Sequence, residues 1–236
     1  MQIFQTIQDE LRALAVPGKA DSMQRFFKTG RGEYGEGDFF IGVSVPHQRL
    51  VAKSYFVDAS AKDIIALLDS KYHEERLTGV LILVMKYKKD KRKNNHEKWV
   101  NLFLNKTNRI NNWDLVDSSA HLILGDWLEQ RNRKLLYEIA KRDALWENRI
   151  AIVSTLHFIR KNDITDAMEI TKILMHHPHD LIHKACGWML KEAWQKQPES
   201  ITLFLDKFAV KMPRTMLRYT IEKMDEHTRQ YYLKLK

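Results

Sequence analysis

The chain has 236 residues, with 39 lysines and arginines against 30 aspartates and glutamates, so its net charge is +9 and its pI is near 9.5. This length allows a sizeable core in one domain or two. Positive charge favours a polyanionic partner such as nucleic acid, although it also serves ordinary solubility. The single cysteine, Cys186, excludes an internal disulfide and a cysteine-rich zinc site, and indicates a reducing, intracellular compartment. Because no uncharged run exceeds ten residues, we expect neither a signal peptide nor a membrane span.

Apolar residues recur at helical spacing along almost the whole chain, and no segment alternates as a strand does. Pro46 and Ser60 are suited to the first turn and the N-cap of helices. Residues 29–42 hold five of the nine glycines, which predicts the main irregular loop. We predict helices over residues 3–15, 20–28, 46–56, 60–68, 74–88, 95–104, from 113 onward, 132–142, 147–160, 163–176, 180–196, 199–210, 214–224 and 226–235.

Two apparent ligand motifs carry little weight. Gly30 to Gly35 matches GxGxxG, but a helix precedes it where a dinucleotide-binding fingerprint requires a strand. A histidine cluster consists of His176, His177, His179 and His183. His179 and His183 are at i and i+4, but the stretch lacks a third metal ligand and a polarising partner. No serine nucleophile elbow, Walker loop or HExxH is present. We therefore expect no metal and no cofactor.

Basic residues recur at predicted helix starts with a regular period. Arg76 and Arg149 are 73 residues apart, about two periods of 36, and Lys184 follows 35 residues after Arg149. Arg214 starts a further helix slightly early. This pattern predicts an all-α fold, a right-handed superhelical α-solenoid of HEAT-like helix pairs. We expect one domain over 1–236, with N-terminal helices and the glycine-rich loop in 1–45 and the repeats in 46–236.

In such a solenoid the second helices would line a concave basic face. Helix N-termini also favour phosphate, so the face would suit duplex DNA. The alternative is that the four cations are ordinary solvated charges at helix ends.

The stretch 109–120 combines a helix start with functional side chains. Asn112 is a good N-cap, so a helix should begin near Trp113, and Asp114 suits its first turn. Trp113 and Asp117 are then i and i+4 on one face. The alternative is that Trp113 belongs to an apolar core stripe with Val116, Ala120, Ile123 and Trp127. Asp117 borders this stripe and has no lysine or arginine at i+3 or i+4.

Gly187 lies inside the predicted helix 180–196. Glycine in a helix interior costs about 1 kcal/mol relative to alanine, so either a neighbouring helix or a ligand should approach closely there.

The sequence resembles the AlkD-type DNA alkylation-repair glycosylases, which are built from HEAT-like repeats. The resemblance covers nearly the whole chain and is carried by residues 19–28, 35–46, 112–117, 148–152 and 184–192, above all by Trp-Asp-x-Val-Asp and Lys-Ala-x-Gly-Trp. It implies that Asp117 is the catalytic carboxylate and that Trp113 and Trp188 flank the damaged nucleotide. It also implies that Arg149 contacts the DNA backbone. Phe26 is also expected to contact the substrate or the DNA, but it stands where the family has a tyrosine, which leaves lesion preference open.

The resemblance implies a monofunctional DNA glycosylase that hydrolyses the N-glycosidic bond of N3- or N7-alkylated purines, in base excision repair. Such purines are already cationic, so a carboxylate beside the oxocarbenium-like sugar and indole faces beside the nucleotide suit the chemistry. The alternative is a non-catalytic HEAT-repeat module that binds DNA or serves as a protein scaffold. We expect a cytoplasmic monomer, associated with the nucleoid when it is bound to alkylated double-stranded DNA.

Overall fold

The computed structural model describes residues 2–235, which form α-helices joined by turns, short 3₁₀ and π-helical segments and one long irregular loop. Contacts divide the chain into a first compact unit that ends at Ser119 and a second that begins at Ala120. The helices of the first unit are α1 Ile3–Ala13, α2 Lys19–Phe26, α3 Val45–Tyr55, α4 Ala61–Leu68, α5 His73–Lys91, α6 Glu97–Asn105 and α7 Trp113–Asp117. Those of the second are α8 Lys134–Ala140, α9 Leu145–Ser154, α10 Leu156–Arg160, α11 Thr165–Leu174, α12 Asp180–Trp194, α13 Pro198–Phe208, α14 Arg214–Thr220 and α15 Glu226–Lys234.

The predicted all-α fold is confirmed. Within residues 2–235 the only strand-like pairing is an isolated bridge between Phe39 and Tyr72. Predicted and observed helices agree to within a few residues with two exceptions: the helix expected over 147–160 is two, α9 and α10, and the helix that begins at Trp113 already ends at Asp117. No helix in the described part of the chain is both long and apolar enough to cross a membrane.

Helix α5 is the centre of the first unit. Helices α3 and α4 pack along it, and most of its residues up to Val84 are buried. Gly79 allows the close approach of α4, because a Cβ atom there would lie 3.0 Å from the Cβ of Leu67. Ser60 caps α4 as predicted, since its side chain accepts a hydrogen bond from the Asp63 N–H.

The glycine-rich loop is irregular, as predicted, and its end is fixed to α5. The buried Glu74 carboxylate accepts hydrogen bonds from the backbone N–H groups of Ile41, Gly42 and Val43 at 3.0, 2.8 and 3.2 Å. Gly42 adopts φ +97°, a conformation that favours glycine. Glu74 therefore ties the loop to the first turn of α5.

In the second unit, helix α14 packs against α12 across Gly187. A Cβ atom at Gly187 would lie 2.5 Å from the Cβ of Tyr219 and 2.6 Å from the carbonyl oxygen of Met216. Of the two explanations for this glycine, a neighbouring helix is therefore the one that the structure supports.

The helix that begins at Trp113 is shorter than its apolar stripe suggested. It ends at Asp117, and a π-helix, His121–Gly125, follows. A side chain at Gly125 would clash with the carbonyl oxygen of Ser154 at the end of α9. This contact requires the glycine at that position.

Candidate functional site

Helix α7 presents the two side chains that the sequence analysis singled out. Its start is confirmed: Asn112 is extended, and its Oδ1 accepts a hydrogen bond from the Trp113 N–H at 2.8 Å. Trp113 and Asp117 are both half-buried. Because they are one turn apart, their side chains leave the same face of the helix.

Trp113 rests on a stack of rings in the first unit. Its ring is nearly parallel to that of Phe27, with a centroid distance of 5.2 Å and an interplanar angle of 14°. Phe27 in turn stacks on Phe40 at 5.0 Å, and Phe40 stacks on His73 at 4.7 Å. One face of Trp113 therefore packs on buried rings, while part of the side chain stays accessible.

Below the stack, His73 bridges two carboxylates. The side chain of His73 is 1% exposed; its Nε2 lies 2.8 Å from Asp114 Oδ2 and its Nδ1 lies 3.3 Å from Asp38 Oδ2. Asp38 also contacts Arg76, with 2.7 Å between Oδ1 and Nη2. Asp114 was expected only to favour the helix start. It is instead buried and joins α7 to the first residue of α5.

The network favours the charged forms of Asp38 and His73. Burial raises the pKa of Asp38, but the hydrogen bond from His73 and the charge of Arg76 outweigh it and leave the pKa lowered. Burial lowers the pKa of His73, but the charge and hydrogen bond of Asp114 outweigh it, so the pKa is raised. With both ring nitrogens facing carboxylates, His73 is an imidazolium that donates on both sides.

Phe26 lies next to Trp113, as its predicted role in binding requires. The two rings meet edge to face at a centroid distance of 6.0 Å, and Phe26 is 65% exposed. Phe26, Trp113 and Asp117 thus all belong to the first unit, and Phe26 brings an accessible ring without a hydroxyl.

The expectation that Arg76 presents its charge to DNA is wrong. Arg76 is 1% exposed, and its guanidinium contacts Asp38 and the carbonyl oxygens of Ser70 and Lys71. Although Arg76 is a basic residue near a helix start, it belongs to the core network, because a buried guanidinium needs anionic and carbonyl partners.

The other predicted DNA contacts lie in the second unit. Arg149 is 5% exposed and its Nη1 donates to the Leu181 carbonyl oxygen at 2.7 Å, so little of it faces solvent. Lys184 is partly exposed and pairs with Asp180 at 2.8 Å. Arg214 is exposed and donates to the carbonyl oxygen of Leu233. Of these cations, Lys184 and Arg214 are the more accessible.

Trp188, the second predicted aromatic residue, is half-buried on α12. Its Nε1 donates to Glu192 Oε1 at 3.2 Å, one turn further along the helix. The hydrogen bond fixes the orientation of the indole ring on this helix face.

Metal-ligand geometry occurs once among residues 2–235, and it lies outside the histidine cluster of residues 176–183. Ligand atoms of Asp126, Glu129 and His157 lie within 4.8 Å of one another. His157 Nε2 already lies 2.9 Å from Glu129 Oε2, and Lys161 Nζ is 3.5 Å from the same carboxylate. These contacts describe an ion-pair network. In the histidine cluster of residues 176–183, His183 Nε2 contacts the His177 carbonyl oxygen and His179 caps α12.

The sequence analysis missed the residues that support Trp113. Phe27, Phe40 and His73 are distant from Trp113 in sequence, and none lies in a motif with recognisable spacing. Phe27, Asp38 and Phe40 lie within segments that carry the family resemblance, which was the one available indication, and His73 lies outside them.

Helical architecture together with an indole and a carboxylate on one short, well-supported helix defines an all-α protein with a candidate site for a cationic ligand. The family model for the DNA alkylation repair enzyme matches residues 7–224, so the chain belongs to this family. Family membership supports a role in DNA alkylation repair, with DNA as the substrate.

Among solved structures, the chain is similar to one described as a predicted DNA alkylation repair enzyme from Enterococcus faecalis. The identity is 16%, the TM-score is 0.70, and the match covers 90% of this chain and 97% of the other. At this identity the likeness shows a shared fold. A comparison with curated protein sequences finds no match.

Proposed function

We propose that the protein is a monofunctional DNA glycosylase that hydrolyses the N-glycosidic bond of N3- or N7-alkylated purines in duplex DNA. The observation that carries the proposal is the pairing of Trp113 and Asp117 on one accessible face of α7, supported from below by Phe27 and the His73 network. Membership of the DNA alkylation repair enzyme family supplies the substrate class.

The reaction requires little of the protein beyond electrostatics. An alkylated purine carries a positive charge, so when the bond from C1′ to the base nitrogen breaks, its electron pair neutralises the departing base. The sugar becomes oxocarbenium-like, and water then adds to C1′ and loses a proton. Asp117 stabilises the sugar cation and accepts the proton from the water.

Aromatic faces account for the preference for a cationic nucleotide. An indole attracts a cation that lies over its face, by roughly 0.5 to 2 kcal/mol. Phe27 holds one face of Trp113, so the accessible part of the ring is already oriented before DNA binds. Trp188, on α12, is proposed to provide a further aromatic contact to the DNA.

The test is Asp117→Asn, which keeps the size of the side chain and removes its charge. Release of N7-methylguanine from a duplex should fall by about 10- to 1000-fold, the usual effect of losing one preorganised electrostatic contact. Duplex binding and the circular dichroism spectrum should be unchanged. Asp58→Asn, an exposed position in the same unit, is the matched control and should retain full activity.

Unchanged base release by Asp117→Asn would remove this carboxylate from the mechanism. A wild-type protein that binds duplex DNA but releases no base would instead favour the non-catalytic DNA-binding module.

A further inference from the structure

The end of α5 and the start of α6 carry the densest positive charge of the chain. Residues 86–98, here called the basic spur, contain seven basic and two acidic residues, a net charge of +5 out of +9 for the whole protein. The basic residues are Lys86, Lys88, Lys89, Lys91, Arg92, Lys93 and Lys98. More than half of the excess charge is thus concentrated in 13 residues, far more than an even distribution would place there.

The spur has a defined backbone conformation. Helix α5 ends at Lys91, and the N–H groups of Lys93, Asn94 and Asn95 donate to carbonyl oxygens of the last helical turn at 3.0 to 3.1 Å. Asn94 adopts the left-handed conformation, φ +53°, that commonly terminates helices. The cations are therefore presented from an ordered turn.

The acidic residue at the centre of the spur is already engaged. Asp90 Oδ2 accepts a hydrogen bond from Trp99 Nε1 at 2.7 Å and lies 3.1 Å from Lys98 Nζ. Lys88, Arg92 and Lys93 make no ion pair with any residue that the structure describes. All three are exposed. The spur therefore presents positive charge that the protein itself does not neutralise.

Helix stabilisation explains only part of this charge. Lys88, Lys89 and Lys91 occupy the last turn of α5, where cations interact favourably with the helix dipole. Arg92 and Lys93 lie beyond the helix, and Lys98 lies in the first turns of α6, where a cation gains nothing from the dipole.

We propose that the basic spur binds the sugar-phosphate backbone of duplex DNA, without base specificity, as a second contact remote from the site on α7. The proposal rests on the proposed function only for its choice of DNA as the partner. Lysines are flexible point charges suited to phosphate, and contacts of this kind position a duplex without reading its sequence.

The composition of the spur selects duplex DNA over other anions. Its one large aromatic residue, Tyr87, is buried, and so is Trp99, which follows the spur, so no large aromatic ring is available to stack on unpaired bases. None of the exposed large hydrophobic residues lies within 86–98, so the spur lacks the apolar anchor that membrane-surface binding uses.

The spur is separated from the candidate site by the length of one helix. His73, which supports Trp113, begins α5, and Lys91 ends it 18 residues later, or about 27 Å at 1.5 Å per residue. No spur residue can therefore touch the nucleotide at Trp113. The spur should raise the affinity for DNA and leave the chemical step unchanged.

The experiment compares wild-type protein with the triple variant Lys88→Gln, Arg92→Gln, Lys93→Gln. Binding of an undamaged fluorescent duplex is measured by anisotropy between about 50 and 200 mM salt. The slope of log K against log salt should become shallower by roughly 2 to 3, since each lost phosphate contact contributes about 0.9. Single-turnover release of N7-methylguanine at saturating protein should match the wild type.

The matched control removes the same number of positive charges, at three exposed lysines outside the spur: Lys53→Gln, Lys62→Gln, Lys196→Gln. If it changes the slope as much as the spur variant, only net charge matters and the spur is not a binding surface. An unchanged slope in the spur variant would overturn the proposal. The proposal would also be overturned if the spur variant lost binding to phosphatidylserine vesicles while its binding to duplex DNA stayed intact. Because undamaged duplex is the probe, a protein without glycosylase activity would still give a result for the spur.

Discussion

Replacing His73 by phenylalanine tests whether the buried network supports helix α7. Phenylalanine keeps a ring to stack on Phe27 and Phe40, so the packing is retained. It removes both hydrogen-bond donors, which leaves Asp114 buried without its cation while Asp38 keeps Arg76. The substitution therefore isolates the electrostatic part of the network.

The expected destabilisation is several kcal/mol. Each hydrogen bond to a charged partner contributes about 1.5 to 3 kcal/mol, and removal of one partner from a buried ion pair costs about 3 to 5 kcal/mol. All three groups are at least 89% buried by side-chain exposure, so solvent screening is small. A loss of roughly 3 kcal/mol would be a large share of the 5 to 15 kcal/mol that stabilises a typical domain.

The loss should depend on pH in a defined direction. The raised pKa of His73 means that its contribution is complete below the ordinary histidine pKa of 6.5 and is lost as pH rises through the folded value. The lowered pKa of Asp38 means that its contribution is present above 3.8 and is lost as pH falls through the folded value. The gap between wild type and variant should be widest between these limits.

Urea denaturation followed by circular dichroism, from pH 5 to about pH 9, measures this gap. His47→Phe, at an exposed histidine of the same unit, is the control and should change stability by less than about 0.5 kcal/mol. A gap below about 1 kcal/mol for His73→Phe, or one that does not vary with pH, would refute a charged His73.

Two further outcomes are expected. Gly187→Ala should destabilise the protein by about 1 to 3 kcal/mol, despite the better helix propensity of alanine, because the alanine Cβ would overlap Tyr219 and Met216. A higher melting temperature for the variant would contradict this packing. In duplexes of matched sequence the protein should release N7-methylguanine much faster than hypoxanthine, because the mechanism supplies no acid to protonate a neutral base. Efficient release of hypoxanthine would show that a general acid acts on the leaving base.

Much of the local structure follows from the sequence by itself. Asn112 predicts the start of α7, Ser60 predicts the start of α4, and the glycines of 29–42 predict the loop, because caps and turns depend on interactions between residues a few positions apart. The i, i+4 relation of Trp113 and Asp117 is of the same kind, since helix geometry determines it once the helix exists.

Burial and charge partners were decided only by tertiary structure. Arg76 resembled Lys184 as a basic residue at a helix start, yet packing brought Asp38 to Arg76 and removed it from solvent, while Lys184 remains partly exposed. Asp114 became a partner of His73 because α5 and α7 pack together, although 41 residues separate the two side chains in sequence. Helix periodicity reports which face of a helix is apolar, but which groups meet there depends on long-range packing, and that packing determines both the pKa shifts and the support of Trp113.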